Sequence, residues 1–321
     1  MSEIVINAQN LSKNFYNFDS RLPFIKRFLK RNQITIRAVQ DISFTIKRGS
    51  IVGFIGSNGA GKSTTIKMLT GTLYPSSGKL EVNGEIPFKR SINFRKKISI
   101  VVGNKLQLFQ DVSPMDYFQL IGTLYEVEPA ILQERIQELS NLLNVKDQLY
   151  QQVRTLSLGQ KMKMEFIAAS LTSPEILFLD EPTIGLDIQS KKDIRTFLKK
   201  MNEECHTTII LTSHDMDDIS SVCDELIVID KGKIILQESM DVILSKFSDF
   251  KYLKIKMTLD LVPELCSVKG VVVISQTKSE CILKIPRDFV FETLESINKL
   301  VDIEDFEISN LSLEEIILQN Y

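Results

Sequence analysis

Ile51-Val52-Gly53-Phe54-Ile55-Gly56-Ser57-Asn58-Gly59-Ala60-Gly61-Lys62-Ser63-Thr64 decides the architecture of this 321-residue chain. The first five residues form a short apolar run, the pattern of a strand buried on both faces of a parallel sheet. The glycines then break the strand, and Lys62 to Thr70 continues as a helical pattern. Gly56 to Ser63 fits GxxxxGK[ST] in the strand-loop-helix setting that this motif requires. Such a loop turns the backbone N–H groups of Gly56, Ser57, Asn58, Gly59, Ala60 and Gly61 inward toward phosphate oxygens, and the helix start adds a positive partial charge. Lys62 is placed to reach the β- and γ-phosphates, the Ser63 hydroxyl to ligate Mg²⁺, and Thr64 follows in the first helical turn.

Working outward, further strand-like stretches run over Ile4 to Ala8, Ile34 to Ile46, Ile98 to Val102, Ile176 to Leu179, Thr208 to Leu211 and Leu226 to Ile229. Helical patterns over Gln160 to Leu171 and Ile188 to Glu204 alternate with them, which predicts an α/β domain with a mostly parallel sheet. Pro114 to Gln152 is polar with apolar residues at helical spacing, as in an all-helical insertion. Beyond about Met240 the pattern changes to Tyr252 to Met257, Val271 to Ile274 and Cys281 to Ile285 as strands. Phe289 to Leu300 and Leu313 to Gln319 follow as helices, and together these stretches suggest a small α+β domain. From Lys246 onward there are nine basic and thirteen acidic residues, so this region is mildly acidic.

The second half of the chemistry lies in Ile176-Leu177-Phe178-Leu179-Asp180-Glu181, an apolar strand ending in two acids at the edge where α/β sheets place ligands. Asp180 is expected to hold Mg²⁺ through water and Glu181 to act as general base on an attacking water. Two acids capping a strand would by themselves be as readily structural. The glycine loop tips the balance toward function.

Composition bounds the rest. Net charge is −2, without the basic excess of a nucleic-acid binder, so no nucleic acid is expected. Four scattered cysteines (Cys205, Cys223, Cys266, Cys281) and two histidines read as buried thiols in a reducing compartment, not as a metal site. No N-terminal leader pattern appears, and no apolar run approaches the ~20 residues that span a bilayer, so the expectation is a chain soluble by itself.

Leu156-Ser157-Leu158-Gly159-Gln160, with Ser157 lying 23 residues before Asp180, resembles the LSGGQ signature of ATP-binding-cassette (ABC) proteins. Alone, the pentapeptide could be a serine cap on a helix. In series it is specific: phosphate loop, signature, Asp-Glu pair, a D-loop-like Ile184-Gly185-Leu186-Asp187 and a histidine-switch-like Thr212-Ser213-His214-Asp215 fall in the family's order. The resemblance covers about Ile4 to Gly232. It implies the phosphate-loop NTPase fold of ABC ATPases, with an antiparallel β subdomain and an inserted helical subdomain at about 105–170. The cassette would occupy 1–242 and the accessory α+β domain 243–321.

The resemblance also assigns roles. ATP and Mg²⁺ are the implied ligands, and His214 would sense the γ-phosphate beside Glu181. Phe15, with Tyr16 as the other choice, would stack on adenine. The family's metal-contacting glutamine should fall at Asn104, one methylene shorter, with Gln107 as the substitute if the loop has shifted. ATP would be sandwiched between one subunit's phosphate loop and another's Ser157, Gly159 and Gln160, with Asp187 at the same interface. The implied assembly is a homodimer, or a pair with a homologous ATPase, on a separate transmembrane permease, peripheral on the cytoplasmic face of the membrane. A soluble, non-transport relative is the rival reading, but the chain has neither a second cassette nor a long coiled-coil insertion.

The string LFLDEPTIGLD at Leu177 to Asp187 looks like a bacterial subgroup of ABC-2-type export ATPases of the daunorubicin and polysaccharide kinds. A basic insertion at about 17–37 points the same way, with six cations and no acids between Arg21 and Arg37. Its Leu22, Ile25, Phe28 and Leu29 could share one helical face suited to a membrane or partner contact, or simply pack within a solvated insertion.

Overall fold

The computed structural model describes residues 3–18, 33–213, 215–248, 250–256, 271–277, 280–300, 305–309 and 313. The predicted basic helix therefore lies outside the described residues. So do His214 and, apart from Leu313, the last predicted helix. The chain divides into two compact units, Met1–Glu238 and Ser239–Tyr321.

In the first unit, strands β1 (Ile4–Phe18), β2 (Gln33–Lys47) and β4 (Ser77–Val82) form an antiparallel three-stranded sheet in the order β2-β1-β4. A six-stranded sheet has the order β5-β6-β7-β3-β8-β9, from β3 (Ile51–Ile55), β5 (Ile98–Val102), β6 (Ile176–Asp180), β7 (Thr208–Thr212), β8 (Glu225–Asp230) and β9 (Lys233–Ser239). Its pairs β5/β6, β6/β7, β7/β3 and β3/β8 are parallel. Every residue of β3 and β7 is buried, which is why both read as apolar runs.

Side chains of opposite parity fill the two faces of this sheet. Phe54, Phe178, Ile210 and Ile227 join Phe44, Ile46 and Val82 of the antiparallel sheet in one core, where the Phe44 and Phe54 rings meet edge-on with centroids 5.4 Å apart. Helices follow the strands: α1 (Lys62–Leu69), α2 (Ile92–Lys97), α3 (Pro114–Leu124), α4 (Pro129–Leu142), α5 (Leu158–Ser170), α6 (Ile188–Cys205) and α7 (Met216–Val222). Of these, α3 and α4 fall within Pro114 to Gln152, the stretch with apolar residues at helical spacing. A Ser113 capping box with Asp116 and a proline in the first turn start α3.

The second unit opens with α8 (Met240–Ser248). Strands β10 (Phe250–Lys256), β11 (Val272–Gln276), β12 (Glu280–Pro286) and β13 (Asp305–Ser309) form an antiparallel sheet in the order β11-β12-β10-β13, with α9 (Val290–Leu300) between β12 and β13. That strand order is the ferredoxin-like one. Leu253, Ile255, Cys281, Leu283, Ile285 and Val290 make its core.

One ion pair inside the first unit is nearly dry. Lys163 on α5 donates to Asp193 on α6 at 2.5 Å, with both side chains about nine-tenths buried, and Gln189 donates to the other Asp193 oxygen at 2.7 Å. Breaking such a pair from one side strands a buried charge, so Lys163→Met should destabilise the protein by about 3–5 kcal/mol. Lys163→Met together with Asp193→Leu should recover most of that loss. Urea unfolding of the three proteins checks both outcomes.

Candidate functional site

The parallel strands deliver their C-terminal ends to one edge of the sheet, and the phosphate loop and the Asp180–Glu181 pair meet there. The loop after β3 runs through Gly56 to Gly61 into α1, whose first helical residue is Lys62. Lys62 is buried, and its Nζ folds back to donate to the carbonyls of Gly56 (2.7 Å) and Ser57 (3.3 Å). Burial pushes this ammonium below its ordinary range, while the Glu181 and Asp180 carboxylates act in the opposite sense.

Asp180 ends β6 beside this loop. Its Oδ1 accepts from Ser63 Oγ at 2.9 Å and from Thr212 Oγ1 at 2.8 Å. Thr212 in turn accepts the Glu181 N–H at both its hydroxyl (3.0 Å) and its carbonyl (3.1 Å). Glu181 leaves the strand with φ 53°, a left-handed conformation that turns the chain sharply after Asp180.

A cavity of about 410 Å³ opens over the loop. Its lining includes Asn58 through Thr64, Asn104, Glu181 and Ile184. The Gly103 N–H donates to the Asp180 carbonyl at 2.9 Å, and a Cβ on Gly103 would lie 1.8 Å from the Glu181 carbonyl oxygen. Only glycine allows that approach, and it sets Asn104 at the cavity. Gln107 goes elsewhere: its Nε2 donates to the Ile100 carbonyl at 2.9 Å.

The residues fit a nucleotide phosphate chain with its metal. A hydroxyl and a carboxylate stand side by side as hard oxygen donors, next to a loop of backbone amides and a buried ammonium. Such a donor set would suit Mg²⁺, which proteins commonly hold through one or two carboxylate or hydroxyl oxygens with phosphate and water completing the shell.

Ser157, Gly159, Gln160 and Asp187 are absent from the described lining of this cavity and form a cluster of their own. Ser157 caps α5 by accepting the Gln160 N–H at 3.2 Å, while Gln160 Oε1 accepts the Ser157 N–H at 2.9 Å. Asp187 caps α6, accepting from the Ser190 N–H (2.9 Å) and hydroxyl (2.7 Å), and these bonds hold its carboxyl below the usual range. The two caps touch. A Cβ on Gly159 would lie 2.3 Å from Ser190 Oγ and 3.1 Å from Asp187 Oδ2, so the signature helix starts directly against the D-loop cap. Phe15 is likewise absent from the phosphate-loop lining. It pairs with Ile36 in the antiparallel sheet, is partly exposed, and carries the Lys13 ammonium 5.3 Å from its ring centroid.

Two functional-looking residues carry little signal in the sequence. Thr212 stands in the sequence as a neighbour of His214, and the structure shows it anchoring both acids. Glu165, at 5% exposure, interrupts the apolar run Met164-Glu165-Phe166-Ile167 on α5, and that interruption was the available signal.

Residues 39–184 match the family described as ABC transporter. The chain is 32% identical over 216 residues to the ABC transporter ATP-binding protein NatA of Bacillus subtilis (strain 168), covering 67% of this chain and 87% of that protein. It is 34% identical over 197 residues to the linearmycin resistance ATP-binding protein LnrL of the same organism, covering 61% of this chain and 63% of that one. Among solved structures, cbiO1 from Clostridium perfringens, part of the ABC transporter complex cbiONQ, superposes with a TM-score of 0.63 at 26% identity, over 76% of this chain and 92% of its own. With the phosphate loop, the signature and the Asp-Glu pair folded as described, the chain belongs to the ABC transporter ATP-binding proteins.

Proposed function

We propose that this ATP-binding subunit hydrolyses ATP to drive export through a separate membrane-spanning permease, working as a homodimer on the cytoplasmic face of the membrane. The observation that carries the hydrolytic reading is the placement of Ser63, Glu181 and Asn104 around one cavity, with Asp180 bonded to Ser63 beside it.

The chain's own groups divide the work as follows. The loop amides, the start of α1 and Lys62 hold the β- and γ-phosphates and offset their charge. Ser63 and, through water, Asp180 would hold Mg²⁺, with Asn104 at the same edge, and the ion would supply charge neutralisation at the phosphate oxygens. Glu181 accepts a proton from a water whose oxygen bonds to the γ-phosphorus, and the bond from that phosphorus to the bridging oxygen breaks to leave ADP and phosphate. His214 takes the γ-phosphate contact and Phe15 the adenine.

The separation of the two clusters supports a dimer: one chain presents a phosphate-loop cavity, and its Ser157 and Gly159 stand with Asp187 outside that lining. A second copy supplies the signature across the nucleotide, so binding favours the closed pair and hydrolysis releases it. Export is supported by the likeness to a protein named for linearmycin resistance. No described helix is long and apolar enough to cross a membrane, and the permease is assigned to another polypeptide.

Lys62→Ala should weaken ATP binding at least about tenfold by isothermal titration, through loss of a buried cation from the phosphate cradle. Glu181→Gln should keep ATP affinity within about threefold, lower turnover by about 10²–10⁴-fold, and accumulate dimers with ATP in size-exclusion light scattering. Unchanged hydrolysis in this variant would remove Glu181 as the base. Affinity capture of Glu181→Gln protein from native membranes with ATP should recover a polytopic membrane protein at equal stoichiometry. Ribosomes or DNA in its place would move the chain to the non-transport branch.

A further inference from the structure

Asn104 sits on a short loop between β5 and α3, and the two ends of that loop are held by different parts of the fold. At the near end, Gly103 is bonded to Asp180. At the far end, a single carboxylate oxygen, Glu165 Oε1, accepts two consecutive backbone amides, Gln107 N–H and Leu108 N–H, the latter at 2.8 Å. Between them the loop turns tightly, the Lys105 N–H donating to the Val102 carbonyl at 3.1 Å and the Gln107 side chain to the Ile100 carbonyl.

Glu165 belongs to α5, the helix that Ser157 and Gly159 begin. Eight residues separate Ser157 from Glu165, about 12 Å along a helix axis. The same rigid rod therefore meets the D-loop cap at its start and the Asn104 loop two turns later.

The chemistry of this contact argues against simple packing. The carboxyl is nearly dry, burial raises its pKa, and the two amides act in the opposite sense. Among the described residues no ammonium or guanidinium pairs with it, although Arg90 and Arg95 border the same cavity between α3 and β5. An apolar side chain would fill the position at less cost. What only an acceptor can do there is hold two neighbouring N–H groups of the loop, one of them on the buried Leu108.

We propose that Glu165 is a positioning residue for the metal side of the nucleotide site. By fixing the amides of Gln107 and Leu108 to the signature helix, it keeps Asn104 at the phosphate cavity and makes that asparagine follow any movement of the helix carrying Ser157 and Gly159. The inference rests on the hydrolytic reading above and adds a link within one chain between the half of the site it uses itself and the half it lends to its partner.

The test is a Mg²⁺ titration of ATP hydrolysis in the full chain, comparing wild type with Glu165→Ala, Glu165→Gln, Asn104→Ala and the double variant Asn104→Ala/Glu165→Ala. Glu165→Ala should raise the half-saturating Mg²⁺ concentration and lower kcat by about tenfold, with ATP affinity within about twofold. Glu165→Gln keeps an oxygen that accepts both amides and should restore most of the activity. The double variant should be no worse than Asn104→Ala, because both act through one group. A Glu165→Ala enzyme with reduced kcat but an unchanged Mg²⁺ midpoint overturns the proposal, as does full additivity with Asn104→Ala. If Glu165→Ala fails to fold, hydrogen exchange on the wild type decides. Slow exchange at Gln107 and Leu108 that shifts on ATP addition supports the link, and exchange at exposed-loop rates refutes it. A wild type that binds ATP but shows no Mg²⁺-dependent hydrolysis sinks the parent reading instead, and the exchange measurement still judges the contact.

Discussion

One oxygen atom organises this nucleotide site. Asp180 Oδ1 receives the hydroxyls of Ser63 and Thr212, so that the helix start after β3 and the ends of β6 and β7 are tied at a single point. Hydrogen bonds to a charged acceptor are roughly twice as strong as neutral ones, and here two converge where a parallel sheet already brings its strand ends together. The rest hangs from this knot. Thr212 fixes the Glu181 amide, the Asp180 carbonyl fixes Gly103, and Gly103 brings Asn104 in beside them.

The signature helix is the second organising element, and it works through three contacts of different kinds. At its start Gly159 is pressed against the Ser190 and Asp187 cap, where any side chain would have to displace the Ser190 hydroxyl from Asp187. One turn on, Lys163 meets Asp193 in a dry ion pair to the same neighbouring helix. On the opposite side Glu165 grips the Asn104 loop. Steric exclusion, charge and backbone capping thus hold one rod between two loops, which is a stiffer arrangement than any of the three alone would provide.

How much of this was legible in the sequence depended on whether side chains or backbone carried the signal. Strands β3, β6 and β7 stood out because burial on both faces leaves an unbroken apolar run, and the glycine loop stood out because phosphate binding demands its spacing. Strand β4 was missed, since four of its six residues are exposed and Gly78 interrupts it. Strand β13, exposed along its whole length, left no apolar run either. Strand β1 was read only to Ala8 because register shifts between Ala8 and Asn14 scramble its alternation, although it continues to Phe18. In the site, Asp180 and Glu181 were readable as a pair. Thr212 and Glu165 were not, because each acts on backbone amides of a segment remote in the chain and leaves no spacing rule behind. The signature residues are expected to complete the site from a second chain, and in this chain they are absent from the described lining of the phosphate-loop cavity.

The left-handed backbone at Glu181 has a consequence for how the energy of folding is distributed. A side chain with a Cβ in that region costs roughly 1–2 kcal/mol relative to the ordinary helical or extended wells. Glycine or asparagine would sit there at less expense, yet the position holds a glutamate with its amide clamped twice by Thr212. The native state therefore keeps a small reservoir of conformational tension at the very peptide that aims the base, released in the unfolded chain and absent from its neighbours in β6. The two bonds from the Glu181 amide to Thr212 offset that tension, so the orientation of the base depends on a threonine in the neighbouring strand as much as on its own backbone.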